Sequence, residues 1–269
     1  MASIESTDQF RLSGAWNFRD VGGARTADGR EVMRGRLFRS SELSRLDAEG
    51  AETLVRTGVR HVVDLRGQSE IDRAGRDRVP SSVQVHSTPY ENHKGERAPH
   101  ELGTVVDAEA QLQYMMRAYT SFPSLAGAKV AIRRVVDAVS DGTGEGVLVH
   151  CAAGKDRAGW TIATVLRAAG VLEQDILADY MASNAAIAPL RAHLSDIWSD
   201  GDGKGGESTS GDRPVYLSDA VLGVTEEYYR HGLSVVDELY GSFDGYLNEL
   251  GMGVDQVERL KSALLVPTD

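Results

Sequence analysis

Hydrophobic and polar positions along this chain change period several times, and the changes mark out its elements. Residues 1–12 read as a loose, flexible polar tail. Ala15-Trp-Asn-Phe-Arg-Asp-Val-Gly-Gly23 alternates apolar with polar and closes on two turn-forming glycines, which predicts an edge strand and a turn, favoured over a reading of Asn17, Arg19 and Asp20 as a polar brace near a site. The spacing of Leu46, Ala51, Leu54 and Val55 predicts an amphipathic helix over 47–58, stopped at Gly58. His61-Val-Val-Asp-Leu-Arg66 reads as a strand projecting Asp64 and Arg66 from its polar end, and Val83-Gln-Val-His-Ser87 as another. Residues 88–105 are polar and irregular, in a loop long enough to be functional. Helices are predicted over 107–119 and 124–140, with Pro123 near the start of the second. The apolar run Val147-Leu-Val149 predicts a short buried strand, entered through the turn Asp141-Gly-Thr-Gly-Glu-Gly146. Helical periodicity follows over 157–169, 173–183 and 185–197. It returns over 224–239 and 254–265, where Tyr228, Tyr229, Leu233, Val236 and Leu239 share one packed face.

Strands alternate with helices up to about residue 170 and helices dominate beyond it. The pattern predicts an α/β fold with a helical C-terminal extension, and no linker before 198 divides it, so 1–269 reads as a single domain. Ser199 to Pro214 is rich in Gly, Ser and Asp and reads as a flexible surface loop. Together with the preceding helices, 171–214 is expected to form a lid over a pocket.

Composition narrows the function. The 269 residues suffice for a sizeable core, and 41% hydrophobic with 26% charged residues is ordinary for a soluble enzyme. A net charge of −11 argues against a nucleic-acid partner and against docking on anionic membrane by bulk charge. An anionic substrate must then be caught by local positive groups. With Cys151 the only cysteine, no intrachain disulfide can form. The N-terminal residues have neither basic nor apolar signal character, and no run approaches a transmembrane length. The expectation is a cytoplasmic protein, with export by a route lacking a cleaved signal left open.

One stretch concentrates chemistry. The strand 147–149 delivers His150 and Cys151 into a tight turn, and a helix begins near Arg157. A cysteine attacks only as thiolate, and the dipole and unpaired N–H groups of a helix N-terminus favour an anion there. Lys155 and Arg157 add positive charge within the same few residues. The same N–H groups and the planar fork of an arginine can hold the non-bridging oxygens of a phosphate. Nucleophile and oxyanion cradle are thus expected from one loop. A merely structural cysteine would explain neither the lysine and arginine beside it nor the glycine in the turn.

His150-Cys-Ala-Ala-Gly-Lys-Asp-Arg-Ala-Gly159 resembles the His-Cys-x5-Arg signature of the cysteine-dependent protein tyrosine phosphatases, and its Gly-Lys-Asp-Arg form resembles a bacterial subgroup that includes secreted mycobacterial enzymes. Asn17-Phe-Arg-Asp-Val-Gly-Gly23, Leu37-Phe-Arg-Ser-Ser-Glu-Leu-Ser-Arg45, Asp64-Leu-Arg66 and Leu222-Gly-Val-Thr-Glu-Glu-Tyr228 resemble further segments of that family, so the likeness spans most of the chain. It implies a central, mostly parallel sheet flanked by helices. It also implies that Cys151 attacks phosphorus to form a phosphocysteine, while Ala152, Ala153, Gly154, Lys155, Asp156 and Arg157 bind the phosphate. His150 would orient the loop. Implied substrates are phosphorylated proteins (phosphotyrosine first, with dual specificity) and phosphoinositides, with inorganic phosphate released, no cofactor and no metal.

Two positions depart from the family pattern. A Ser or Thr usually follows the arginine and stabilises the departing thiolate, but Ala158 stands here, with Thr161 a turn further on. The usual general acid lies in an upstream loop, where this chain reads Pro89-Tyr-Glu-Asn-His93 without an aspartate. The candidates are Asp156, Glu91 and Asp64. Asp156 is favoured by proximity, with a local salt bridge to Lys155 or Arg157 as its plainer reading; Asp64 is expected to serve structurally beside Arg66. Rival readings are a catalytically inactive phosphate-binding module, a rhodanese-type sulfurtransferase, and a metallohydrolase using His86, His93 and His100, whose spacing in an irregular segment suits no metal pattern.

Overall fold

The computed structural model describes residues 11–90, 108–201 and 217–267. Among these residues five strands form one sheet in the order β1-β2-β5-β3-β4: β1 (Arg19–Asp20), β2 (Leu37–Ser40), β3 (Val59–Asp64), β4 (Gln84–Ser87) and β5 (Gly146–His150). β1 runs antiparallel on one edge and the other pairings are parallel. β5 is therefore central, and all five of its residues are buried. A strand covered on both faces needs no alternation, which is why its sequence is a continuous apolar run.

The helices fall into two groups around this sheet. α1 (Ala48–Arg56), capped by the Asp47 side chain on Gly50 N–H, covers one face. Its Leu54 packs with Phe38, Val62 and Leu148. The strand residues of opposite phase, Leu37, Val63, Val147 and Val149, join the larger core on the other face. That core is filled by α3 (Ala108–Ser121), α4 (Ala126–Val139) and α5 (Asp156–Ala168). α6 (Glu173–Ala182), a 3-10 turn over Ser183–Ala186, α7 (Ile187–Gly201) and α8 (Asp219–Leu222) follow. α9 (Glu226–Tyr240), α10 (Phe243–Glu249) and α11 (Val254–Leu264) complete the fold. The architecture is the expected α/β sheet flanked by helices, with a helical C-terminal part. No helix among the described residues is long and apolar enough to cross a membrane.

Two elements escape the hydrophobic pattern. β2 carries Arg39 and Ser40 at fully buried positions, so its burial is invisible to a reading that counts polar residues as exposed. α2 (Gln68–Ala74) is a seven-residue, mostly polar helix. The strand expected over 61–66 ends at Asp64, leaving Arg66 beyond it, and the edge strand expected within 15–23 shrinks to Arg19–Asp20. Part of the tail, most of the 88–105 loop and most of the 199–214 loop lie outside the described residues, as do Glu91, His93 and His100.

Candidate active site

The C-terminal ends of the parallel strands β2, β3 and β5 lie side by side, the usual position of a ligand crevice in such a sheet. The turn from β5 into α5 runs from Cys151 to Lys155. Gly154 sits at φ +70, and a Cβ there would fall 2.1 Å from the Ser40 carbonyl oxygen, so the loop closes onto β2 only because residue 154 has no side chain. The Cys151 side chain is buried, and the Gly154 N–H donates to its Sγ at 3.3 Å. The sulfur therefore sits at the mouth of a thirteen-residue helix and already accepts a loop amide hydrogen.

The loop carbonyls are held from behind. Asn17 Nδ2 donates to Gly154 O at 2.9 Å and approaches Ala153 O at 3.4 Å. Arg39 Nη2 donates to Gly154 O (2.8 Å) and Lys155 O (3.0 Å). Asn17 holds a left-handed backbone, φ +58, which asparagine tolerates better than most residues. Arg39 Nη1 and Arg19 Nε each bind one oxygen of Asp179 on α6, at 2.7 Å, and Arg19 Nη1 returns to Asn17 Oδ1. Burial works against the Asp179 charge, but the two guanidiniums outweigh it and lower its pKa. The segment expected to be a plain edge strand thus also braces the loop, through Asn17 and Arg19. Asp20, paired with Phe38 in β1, accepts from Gly22 N–H and Gly35 N–H through its side-chain oxygens.

Arg157, in the first turn of α5, meets Glu70 of α2 in a two-pronged pair, Nη1–Oε2 and Nη2–Oε1 both at 2.6 Å. Glu70 also accepts from Gly67 N–H, in the capping box of its own short helix, so the glutamate is fixed before it fixes the arginine. Nothing in the sequence reading singled out Glu70; the capping-box spacing from Gly67 is the one local trace of it.

Beneath the loop lies a second buried charge cluster. His150 donates from Nε2 to Asp77 Oδ2 at 2.9 Å, lies 3.7 Å from Asp64 Oδ1, and has Nδ1 3.2 Å from its neighbour's carbonyl, Cys151 O. Burial alone would remove its charge, but Asp77 and Asp64 outweigh burial and push its pKa up to about 9. Both ring nitrogens are then donors, and the Nδ1 bond pins the backbone of the cysteine. Arg66, fully buried, binds Asp64, Asp77 and Glu42. Asp64, Asp77 and His150 place three ligand-type atoms within 4.8 Å of one another, but here they surround the Arg66 guanidinium. Glu42 closes the group; burial raises its pKa, and its N–H donates to Ala152 O.

The profile of the tyrosine phosphatase family matches residues 10–266. The chain belongs to this family. It is 40% identical to the triple specificity protein phosphatase PtpB of Mycobacterium tuberculosis, covering 94% of this chain and 98% of that one. It is 28% identical to a putative tyrosine-protein phosphatase of Cupriavidus necator, over 92% of this chain and 86% of the relative. Among solved structures, that of Pseudomonas aeruginosa TpbA aligns at 17% identity with a TM-score of 0.36, covering 82% of this chain and 90% of that one. The protein is a phosphatase, with relatives named as tyrosine and triple specificity phosphatases along nearly the whole chain.

Within this phosphatase fold the remaining expected residues have specific places. Lys155, expected to add positive charge beside the cysteine, has its ammonium buried, 3.0 Å from Gly223 O and 2.6 Å from Asp156 Oδ2. Asp156 Oδ1 accepts from the Tyr119 hydroxyl at 3.0 Å, and that hydroxyl lies 2.5 Å from Tyr180 OH. The plainer reading of Asp156, a salt bridge to Lys155, is the contact formed. Asp64 pairs with Arg66 rather than facing the loop. Ala158 is buried, and the Thr161 hydroxyl is occupied by Arg157 O (2.9 Å) and Tyr90 OH (2.6 Å). His86 stands away from the loop on β4, its Nε2 3.2 Å from His61 Nδ1.

Proposed function

We propose that the protein hydrolyses phosphomonoesters through a phosphocysteine, acting on protein phosphotyrosine, with phosphoserine/threonine and phosphoinositides as further substrates. One observation carries this reading: Cys151 and Arg157 rise from a single loop whose carbonyls are drawn away by Asn17 and Arg39, while a loop N–H already points at the sulfur. Such a nest of amides, completed by a guanidinium, suits the equatorial oxygens of a phosphoryl group in flight. The Cys151 thiolate attacks phosphorus, the ester P–O bond breaks, and the leaving oxygen takes a proton. Water then attacks the phosphocysteine, breaking the S–P bond and releasing inorganic phosphate and thiolate. Glu70 holds the Arg157 fork flat for two-pronged phosphate contact.

Asp156 is the proposed proton donor. Both its oxygens act as acceptors at rest, so the pair with Lys155 must open before it can serve. Glu91 is the alternative donor. The name of PtpB, a triple specificity phosphatase, supports the breadth assigned to the substrate class. The deciding experiment compares kcat/KM for a phosphotyrosine peptide, a phosphoserine peptide and a phosphoinositide, with Cys151→Ser as control. Turnover surviving in Cys151→Ser would falsify the phosphocysteine route. In Asp156→Asn, the basic limb of the pH–rate profile is expected to vanish for alkyl phosphates and to matter little for an aryl phosphate with a good leaving group. An unaltered profile moves the role to Glu91.

A further inference from the structure

We propose that the groove at the opposite end of the sheet from the catalytic loop binds a small phosphate-bearing anion. The groove lies where β2, β3 and β5 begin: Gly35 and Arg36 lead into β2, Gly58 into β3 and Gly144 toward β5, with α11 forming the far wall. It shares no residue with the site around Cys151.

Arg36 forms its inner face. The side chain is only 8% exposed, and its Nε and Nη2 donate to two main-chain carbonyls, Ala263 O (3.1 Å) and Val139 O (2.9 Å). These neutral acceptors hold the guanidinium in place without cancelling its charge. Burial lowers the pKa of Arg36 from the ordinary arginine range, with Asp141 acting in the opposite sense. The Nη1 edge, which carries neither bond, lies against Gly144. A Cβ at 144 would stand 3.2 Å from Nη1, and the backbone there is at φ +79. Glycine at that position keeps the free edge of the guanidinium open. Beside it on the groove wall, the Ser140 hydroxyl is buried and has no hydrogen-bond partner. A buried donor without a partner is costly unless a ligand or water supplies one.

The rim adds Arg34 and Arg259, and Arg56 also lines it, with Nη2 donating to the Thr53 hydroxyl. Arg34 is exposed, its guanidinium lying over Gly23 at the edge of the groove with Asp20 as its electrostatic neighbour, and Arg259 bonds to the neutral carboxamide of Gln256. The acids nearby have other commitments. Glu258 pairs with Lys261 at 2.9 Å, and Asp255 sits in the first turn of α11, where the helix N-terminus offsets its charge. Asp141 accepts from Thr143 N–H and Oγ1 and faces His61 Nε2 at 3.6 Å. On a chain of net charge −11, this leaves a local concentration of guanidinium that calls for an oxyanion with several acceptor oxygens.

The test is a titration of the 15N-labelled full chain with inorganic pyrophosphate, in an Arg157→Ala background that weakens binding at the catalytic loop. Saturable amide shifts are expected at Gly35, Gly58 and 140–144, absent with potassium chloride at equal ionic strength. The double variant Arg34→Glu/Arg259→Glu, confined to exposed rim residues, is expected to weaken that binding at least tenfold while leaving hydrolysis of a simple aryl phosphate unchanged in the otherwise unsubstituted enzyme. Groove amides that stay still at pyrophosphate concentrations saturating the catalytic loop of the unsubstituted chain overturn the proposal. Shifts of undiminished affinity in the double variant, or equal shifts with chloride, do the same.

Discussion

The Glu70–Arg157 pair decides how well the loop holds phosphate before chemistry begins. A guanidinium on a flexible stem loses rotamer freedom on meeting a ligand, and the two-pronged contact removes that freedom in advance. Glu70→Gln keeps the shape of the side chain and removes its charge and one acceptor oxygen. The expected outcome is a fall in kcat/KM of about 10²-fold, the order that a displaced positioning group commonly costs, with weaker competitive inhibition by inorganic phosphate. Steady-state kinetics beside a thermal melt check it; a fall in melting temperature without the kinetic change would make Glu70 merely structural. Ala158 invites the opposite experiment. No hydroxyl stands on this residue to stabilise the departing thiolate, and Thr161 is held by Arg157 O and Tyr90. Ala158→Ser is expected to speed hydrolysis of the phosphocysteine, read by single-turnover quench. The site is tightly packed, so the faster second step should come with some loss of stability.

The catalytic loop is an element made by its neighbours. Asn17 shows this most directly, since it provides both a left-handed backbone and a side-chain donor. Asn17→Gly tolerates the backbone and loses the carboxamide, both the donor to Gly154 O and the acceptor for Arg19 Nη1; Asn17→Ala loses the same groups and adds a left-handed strain of about 1–2 kcal/mol. Both variants are expected to raise KM, with Asn17→Ala melting lower; equal melting temperatures would mean that φ +58 costs nothing here. The same element explains what was legible in the sequence. β5, α5 and the Cys151–Arg157 spacing were readable because an apolar run, a helix and the chemistry lie consecutively. β2 was obscured because Arg39 and Ser40 are polar residues buried by the work of bracing, and hydrophobic periodicity cannot register them. Glu70 sits 87 residues from Arg157, on a helix too short and polar to show a periodic face. The resemblance named Asn17 and Arg39 among its segments without saying what they hold. The partners of Lys155 were not legible, because sequence spacing gives nearness along the chain and no direction for a side chain, and the ammonium finds Gly223 and Asp156.

At the scale of the whole molecule, the loop stands on buried ions, and this makes stability depend on pH in a specific direction. His150 is buried and charged, with a folded pKa of about 9 against roughly 6.5 for an unfolded histidine. A group whose pKa is raised on folding stabilises fully below its unfolded value, and that contribution fades as pH rises through the folded value. The window is therefore about pH 6.5 to 9, and the shift corresponds to a loss of up to about 3 kcal/mol across it. Asp77 works at the other end. His150 and Arg66 overcome its burial and lower its pKa, so its contribution is present above the unfolded aspartate range and disappears in acid. Melting temperature is expected to fall steadily by several degrees from pH 6.5 to 9. Activity should fall with it, because His150 Nδ1–H is the donor that pins the Cys151 carbonyl. Asp77→Asn separates the cause from a general alkaline effect. It removes the carboxylate that raises His150, and it also weakens the hold on Arg66, so the variant melts lower at every pH. The decisive quantity is the slope. Between pH 6.5 and 9 the curve of the Asp77→Asn variant should be flatter than that of the unsubstituted protein, and two parallel curves would show that the buried imidazolium is not what the alkaline side titrates.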